Sequence, residues 1–156
     1  MAKVLIVDDE PDARTVLFHT LRDAGHNVTE AAGGEEALKK LKRTRFDLVV
    51  LDIMMPRMSG YDVLEKIRAM PSRAGTPVIV VTAKHDPEGV QREVEVGATG
   101  HIAKPFLPSE LEAVVKRVLM GSKKEVERTR RSLGRSADLY GQVSELHRQA
   151  REVDET

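Results

Sequence analysis

The chain has 156 residues, 40% of them hydrophobic, and its 25 Lys+Arg balance its 25 Asp+Glu. That length fits one domain plus an appendage, and the balanced charge gives no pointer to nucleic acid or another polyanion. There is no Cys, which excludes disulfides, thiol catalysis and Cys-ligated metals. No apolar run approaches the ~18 residues of a membrane span and no secretory leader pattern is present, so the expectation is a soluble cytoplasmic protein.

In chain order, Lys3 to Asp8 reads as a first strand, its apolar Val4 to Val7 running into Asp8, Asp9 and Glu10. Pro11 then suits the first position of a helix. Ala13, Val16, Leu17, Leu21 and Ala24 recur at helical spacing, and Gly25 stops the run. Val28 to Ala31 is a weaker strand, broken by Gly33-Gly34, and Ala37, Leu38 and Leu41 mark a second helix. Leu48 to Leu51 is an unbroken apolar run that ends on Asp52, as in a strand buried on both faces. Charge is costly inside such a strand, so Asp52 belongs at its end, where the sheet opens to solvent.

Pro56, Ser59 and Gly60 make a loop. Val63, Leu64, Ile67 and Met70 give a third helix closed by Pro71. Pro77 to Thr82 is a fourth strand, apolar from Val78 to Val81 and ending on a hydroxyl. Asp86-Pro87 begins a fourth helix carrying Val90 and Val94, stopped by Gly97. Gly100 to Lys104 is a short fifth strand, and Ser109 caps a fifth helix through Leu111, Val114, Val115, Val118 and Leu119. Five strand–helix pairs in strict alternation predict an α/β fold over residues 1–120: a parallel sheet covered by helices on both faces.

Ligands of open parallel sheets bind beyond the carboxyl ends of the strands. Those ends carry Asp8 and Asp9, Asp52, Thr82 and Lys104. Clustered carboxylates repel, and one pKa rises unless a cation enters. A hard ion such as Mg²⁺, held by one or two carboxylates and phosphate oxygens, suits the set. With a hydroxyl and an ammonium opposite, the layout fits a transferring phosphoryl group, and a carboxylate can serve as its nucleophile.

Val7-Asp8-Asp9-Glu10, Leu51-Asp52-Ile53-Met54-Met55-Pro56, Ser59-Gly60, Val81-Thr82-Ala83, Gly97-Ala98 and Lys104-Pro105-Phe106, taken together and in order, resemble the receiver domain of two-component response regulators. The resemblance covers about three quarters of the chain. It implies a flavodoxin-like (βα)5 fold with strand order 2-1-3-4-5. It further implies that Asp52 takes a phosphoryl group from a histidine kinase or histidine phosphotransfer protein. Asp9, Asp52 and the backbone carbonyl of Met54 would hold Mg²⁺ directly, and Asp8 through water. Thr82 and Lys104 would bind phosphoryl oxygens, and the Lys104-Pro105 bond would be cis. His101 stands where the family usually has an aromatic switch residue; with Thr82 it would change the face formed by the fourth helix, fifth strand and fifth helix. An imidazolium is costly to bury, so this switch should weaken at acidic pH. Met54 and Lys84, two residues after Asp52 and Thr82, bear on how long the phosphoryl group lasts.

Plainer readings exist for each residue alone. Asp8 and Asp9 suit a helix N-terminus, Thr82 suits a strand, Lys104 suits a surface, and His101 suits an edge strand. His19, His26, His85 and His147 show no mutual metal spacing. The rival class is a Mg²⁺-dependent phosphohydrolase with an aspartyl nucleophile. The haloacid-dehalogenase type wants a second Asp two residues after the nucleophile, where this chain has Met54. A dinucleotide-binding enzyme would want a Gly-rich loop where Asp8-Asp9-Glu10 stands. The leading expectation is therefore a single-domain phosphoacceptor, not an enzyme on external substrates, acting on a downstream protein; a receiver belonging to a larger hybrid kinase or transcription factor is the alternative.

Residues 121–156 read as a charged, helical C-terminal extension. Gly121 looks like a stop, and Ser122 to Glu125 matches a capping box. Leu139, Val143, Leu146, Ala150 and Val153 form an apolar stripe shorter than a coiled coil requires. A solvated helix and one that docks on a partner or a second copy remain equally open. The basic stretch 123–135 has no interleaved aromatics, which argues against nucleic acid.

Overall fold

The structure is a computed structural model that describes residues 1–83, 92 and 95–133, with side chains through 121. Its strands are β1 (Lys3–Val7), β2 (Asn27–Ala31), β3 (Leu48–Asp52), β4 (Val78–Thr82) and β5 (Gly100–Ala103). Its helices are α1 (Pro11–Asp23), α2 (Gly34–Arg43), α3 (Gly60–Ala69) and α4 (Pro108–Leu133), the last being the helix expected as the fifth. The expected helix from Asp86-Pro87, with Lys84, lies outside the described residues, as does the apolar stripe from Leu139 to Val153. Arg92 and Glu95 are helical, and Gly97 follows at φ +83°.

All five strands are parallel, in the order β2-β1-β3-β4-β5. The reason is visible in the burial. Every residue of β3 and β4 is buried, so these strands need helices on both faces. On one face Leu5, Val7, Val49, Leu51, Val78 and Val80 form a cluster with Ala37 and Leu41 of α2 and Val63, Leu64 and Ile67 of α3. The alternate residues, Val4, Ile6, Val50, Ile79 and Val81, are buried on the other side, and so are Leu17 and Leu21 of α1 and Leu111, Val115 and Val118 of α4. A compact unit spans Met1–Val118.

Four local expectations are corrected. Val16 is 52% exposed and Thr20 is buried in its place, so the buried stripe of α1 is narrower than the apolar pattern. Pro108 itself opens α4, making Ser109 a helical residue and not its cap. Gly121 does not stop that helix, which runs on to Leu133. One interior Gly costs only about 1 kcal/mol against Ala, and the helix formers Lys123 to Glu127 follow. Ser122 is then inside a helix and does not open one.

A true capping box lies elsewhere. Ser59 Oγ accepts from Asp62 N at 3.3 Å while Asp62 Oδ2 accepts from Ser59 N at 3.2 Å, fixing the start of α3. Gly60 then donates its N–H to Ile53 O at 3.0 Å. A Cβ on Gly60 would fall 2.4 Å from Asp52 O and 2.7 Å from Ile53 Cα. Both are backbone atoms of the strand end that carries Asp52, so the obstruction cannot rotate away. At the other end of α3, the Arg68 guanidinium donates to the carbonyls of Ala74, Thr76 and Gly97, tying the approaches to β4 and β5 together.

Gly60→Ala should cost roughly 1–3 kcal/mol, as overpacking does. Gly75→Ala, with open space around it, should change stability by less than about 0.5 kcal/mol. Urea midpoints of the two variants check this; equal midpoints would mean that the close approach at Gly60 is not a constraint.

Candidate functional site

Strand register assembles the site. Val7 pairs with Leu51, so the next residues, Asp8 and Asp52, leave β1 and β3 side by side. Asp52 pairs with Val81 and Thr82 with Ala103, which brings Thr82 and Lys104 to the same edge. Asp8, Asp9 and Asp52 each offer an oxygen within 4.8 Å of the others. The edge is less open than the sequence suggests. Asp52 does stand at its strand end, but it is 4% exposed, Asp8 is fully buried and Thr82 is 6% exposed. The start of α3 abuts the backbone of Asp52 and Ile53 there, which periodicity within a strand cannot reveal.

Each carboxylate has a different set of partners. Asp8 is the most constrained: its N–H donates to Ala31 O at 3.2 Å, and its Oδ1 accepts from Glu10 N at 2.9 Å. Its carbonyl accepts from Arg14 Nη1 at 2.8 Å. Asp52 Oδ1 accepts from Met54 N at 3.2 Å. Asp9 Oδ1 is buried and has no hydrogen-bond partner among the described residues. Lys104 Nζ lies 3.4 Å from Asp8 Oδ2 and 3.8 Å from Asp52 Oδ1, so its charge is shared, with Asp8 the nearer partner. The Lys104-Pro105 bond is cis, as expected.

The electrostatics follow from this crowding. At 4.8 Å and an effective dielectric constant of ~20, two carboxylates repel by about 3 kcal/mol. Burial, then the Asp8 charge, push Asp52 up from its ordinary 3.8 to about 6, with a smaller push from Asp9 and opposition from Lys104 and the Met54 N–H. One member of the acidic set is thus raised, as the clustering predicts. The donor set fits a hard divalent cation: it is all carboxylate oxygen, it carries unbalanced negative charge, and one buried oxygen is unpartnered.

Arg14, the backbone N–H of Glu10 and the Ser59 box are supports that the strand-end pattern does not point to. The Ser59-to-Asp62 spacing was there to be read, whereas Arg14 has no local signal: its target is a backbone carbonyl. Met54 is 71% exposed beside Asp52. His101 is exposed on β5, and its register with Val80 puts it on the same face of the sheet as Thr82.

Asp52 links stability to pH. Between about pH 4 and about 6 the folded carboxyl keeps its proton after the unfolded one has lost it, so stability falls as pH rises through that window. In EDTA above that window, Asp52→Asn should therefore be more stable than the parent by on the order of 3 kcal/mol, about two pKa units. The gap should close below about pH 4. Denaturant midpoints against pH measure it, and a gap that widens toward acid would contradict the assignment.

The family model described as the response regulator receiver domain matches residues 4–116. The probable transcriptional regulator ycf27 of Porphyridium aerugineum is 43% identical over 117 residues, which are 75% of this chain and 48% of that protein. The alkaline phosphatase synthesis transcriptional regulatory protein PhoP of Bacillus subtilis is 38% identical, over 77% of this chain and 49% of its own. The chain thus spans about half the length of the curated relatives it matches. Among solved structures, the chemotaxis protein CheY4 of Vibrio cholerae superposes with a TM-score of 0.73 at 42% identity, covering 76% of this chain and 98% of that one. The receiver domain of sensor histidine kinase PA1611 from Pseudomonas aeruginosa, with a magnesium ion coordinated in its active site cleft, gives 0.70 at 30% identity, over 76% and 97%. By sequence over most of its length and by the topology of its sheet, the chain belongs to the response regulator receiver domain family.

Proposed function

We propose that the chain is a cytoplasmic phosphoacceptor of a two-component system, with Asp52 as the acceptor. One observation carries the reading: a buried Asp52 shares a strand-end pocket with two further carboxylates, one oxygen of which has no partner. Asp9, Asp52 and the Met54 carbonyl would hold Mg²⁺ directly and Asp8 through water; the ion supplies charge neutralisation to a phosphoryl group and to the carboxylates around it. The donor is a phosphohistidine of a histidine kinase or phosphotransfer protein. An Asp52 oxygen attacks phosphorus, a new P–O bond forms and the P–N bond to the donor imidazole breaks. Lys104 supplies a cation to the phosphoryl oxygens and Thr82 a hydroxyl donor.

The chain does no chemistry on external substrates on this reading; it catalyses only its own phosphorylation and dephosphorylation. Its output is a change of surface. Thr82 and His101 lie on one face of neighbouring strands, and Thr82 drawn toward the phosphoryl group leaves space for His101 to turn inward. β5 and α4 then present a different face to a downstream protein or a second copy. The group moves this equilibrium only by its differential affinity for the two arrangements. The curated relatives are named as transcriptional regulators, which supports a transcriptional output for a longer form of the chain.

Acetyl phosphate with Mg²⁺ should give one phosphoryl adduct per chain, absent in EDTA and in Asp52→Asn, as intact-mass spectrometry reads it. Repeated turnover of varied phosphate esters would instead favour the phosphohydrolase class. A second expectation concerns the switch. In the parent, the structural response to beryllofluoride should diminish toward acid, as an imidazolium resists burial. Protonation of Asp52 weakens the response of either protein toward acid, so His101→Phe should lose only part of that pH dependence, and identical NMR shift profiles for the two would remove His101 from the switch.

A further inference from the structure

We infer that Arg14 is a positioning residue for the cation site, acting through the backbone of Asp8. The inference rests on the reading of Asp8, Asp9 and Asp52 as that site. Arg14 lies in the first turns of α1, its N–H bonded to Glu10 O at 2.9 Å. Its side chain is 19% exposed and reaches back across the helix start, donating from Nη1 to Asp8 O at 2.8 Å. Its Nε lies 3.5 Å from Glu30 Oε1 on β2. Glu30 is itself braced, because its backbone carbonyl accepts from Lys40 Nζ, and Lys40 pairs with Glu36 at 3.0 Å.

The carbonyl that Arg14 holds belongs to the peptide joining Asp8 to Asp9. Fixing that carbonyl fixes the plane of the peptide, and with it the direction in which Asp9 departs. Asp8 is otherwise secured, by Ala31 through its N–H and by Glu10 through its carboxylate. Asp9, whose buried Oδ1 is unpartnered, has no such support in its own side chain. Arg14 therefore supplies from α1 and β2 the orientation that the Asp9 carboxylate lacks. A guanidinium suits the task because its fork holds a carbonyl with one arm and a carboxylate with another.

Position and charge predict opposite results. If only the charge of Arg14 mattered, removing it would tighten Mg²⁺ binding, since a like charge leaves and Glu30 and Glu36 lose a neighbouring cation. If Arg14 orients the site, removing it weakens binding, as loss of an outer support does by roughly 10–100-fold. Mg²⁺ affinity of the full chain by isothermal titration calorimetry decides. Arg14→Met should raise Kd about tenfold or more. Glu30→Gln, which loosens the guanidinium without removing it, should raise Kd less. Arg22→Met, which removes a cation of the same helix that pairs with Asp23, should leave Kd unchanged.

Melting in EDTA, recorded beside each titration, separates a purely structural role, which would lower the midpoint of a variant and leave its Kd alone. If Arg14→Met does not fold, Arg14→Lys carries the comparison, because it keeps the charge and loses the fork: charge alone leaves Kd unchanged and orientation raises it. Tighter or equal Mg²⁺ binding in a folded Arg14→Met, or an unchanged Kd in Arg14→Lys when that variant stands in, overturns the inference. A parent chain that binds no Mg²⁺ overturns the cation site and the inference together, so the two failures are told apart.

Discussion

Three carboxylates with oxygens within 4.8 Å of one another, one of them fully buried and one 4% exposed, are the constraint on which this molecule turns. Charging all three without a cation costs stability, and Lys104, shared between Asp8 and Asp52, offsets only part of the repulsion. Asp52 takes the strain, its carboxyl pushed to about 6. Packing alone would be better served by Asn at that position. Such a cost, retained in the middle of a well-packed sheet, is what a site looks like when its ligand supplies the missing charge.

The fold concentrates that cost at one edge. A parallel sheet sends every carboxyl end the same way, and the register β1–β3–β4–β5 sets the ends carrying Asp8, Asp52, Thr82 and Lys104 in adjacent positions. Two close fittings then hold the edge rigid. Gly60 lets α3 start against the backbone of Asp52 and Ile53, and the Ser59–Asp62 box fixes that start. Arg68 fastens the opposite end of α3 to the turns before β4 and β5, at the amino ends of those strands. The same helix is therefore tied to both edges of the sheet, and its start is the end that bears on the pocket.

How much of this the residues disclose depends on how local each cause is. Apolar runs such as Leu48–Leu51 and Val78–Val81 are strands because burial on both faces demands unbroken hydrophobicity, and that demand is written in four consecutive letters. The carboxylates, the hydroxyl and the ammonium could be gathered from strand ends once a parallel sheet was inferred. Three things were not legible. The burial of Asp52 depends on residues brought to it from elsewhere in the chain, such as the start of α3 at Gly60. The continuation of α4 past Gly121 depends on a sum of propensities that outweighs one residue. The hold of Arg14 on Asp8 is a contact to a carbonyl, and a carbonyl carries no letter of its own.

The same geometry ties stability to occupancy. A ligand that binds only the folded chain adds RT ln(1 + [L]/Kd) to its stability. Here the gain compounds, because on the proposed reading a divalent cation also removes the repulsion that lifts Asp52. On that same reading an ionised Asp52 would be the nucleophile that phosphoryl transfer needs, so an ion that steadied the domain would also prepare the acceptor. Transfer would consume that charge as an acyl phosphate and return it on the phosphoryl oxygens, displaced toward Lys104 and Thr82. The carboxylate cluster would then act as a signal input without any large motion of the sheet: what would change is where the negative charge sits, and the side chains able to follow it are those at the ends of β4 and β5.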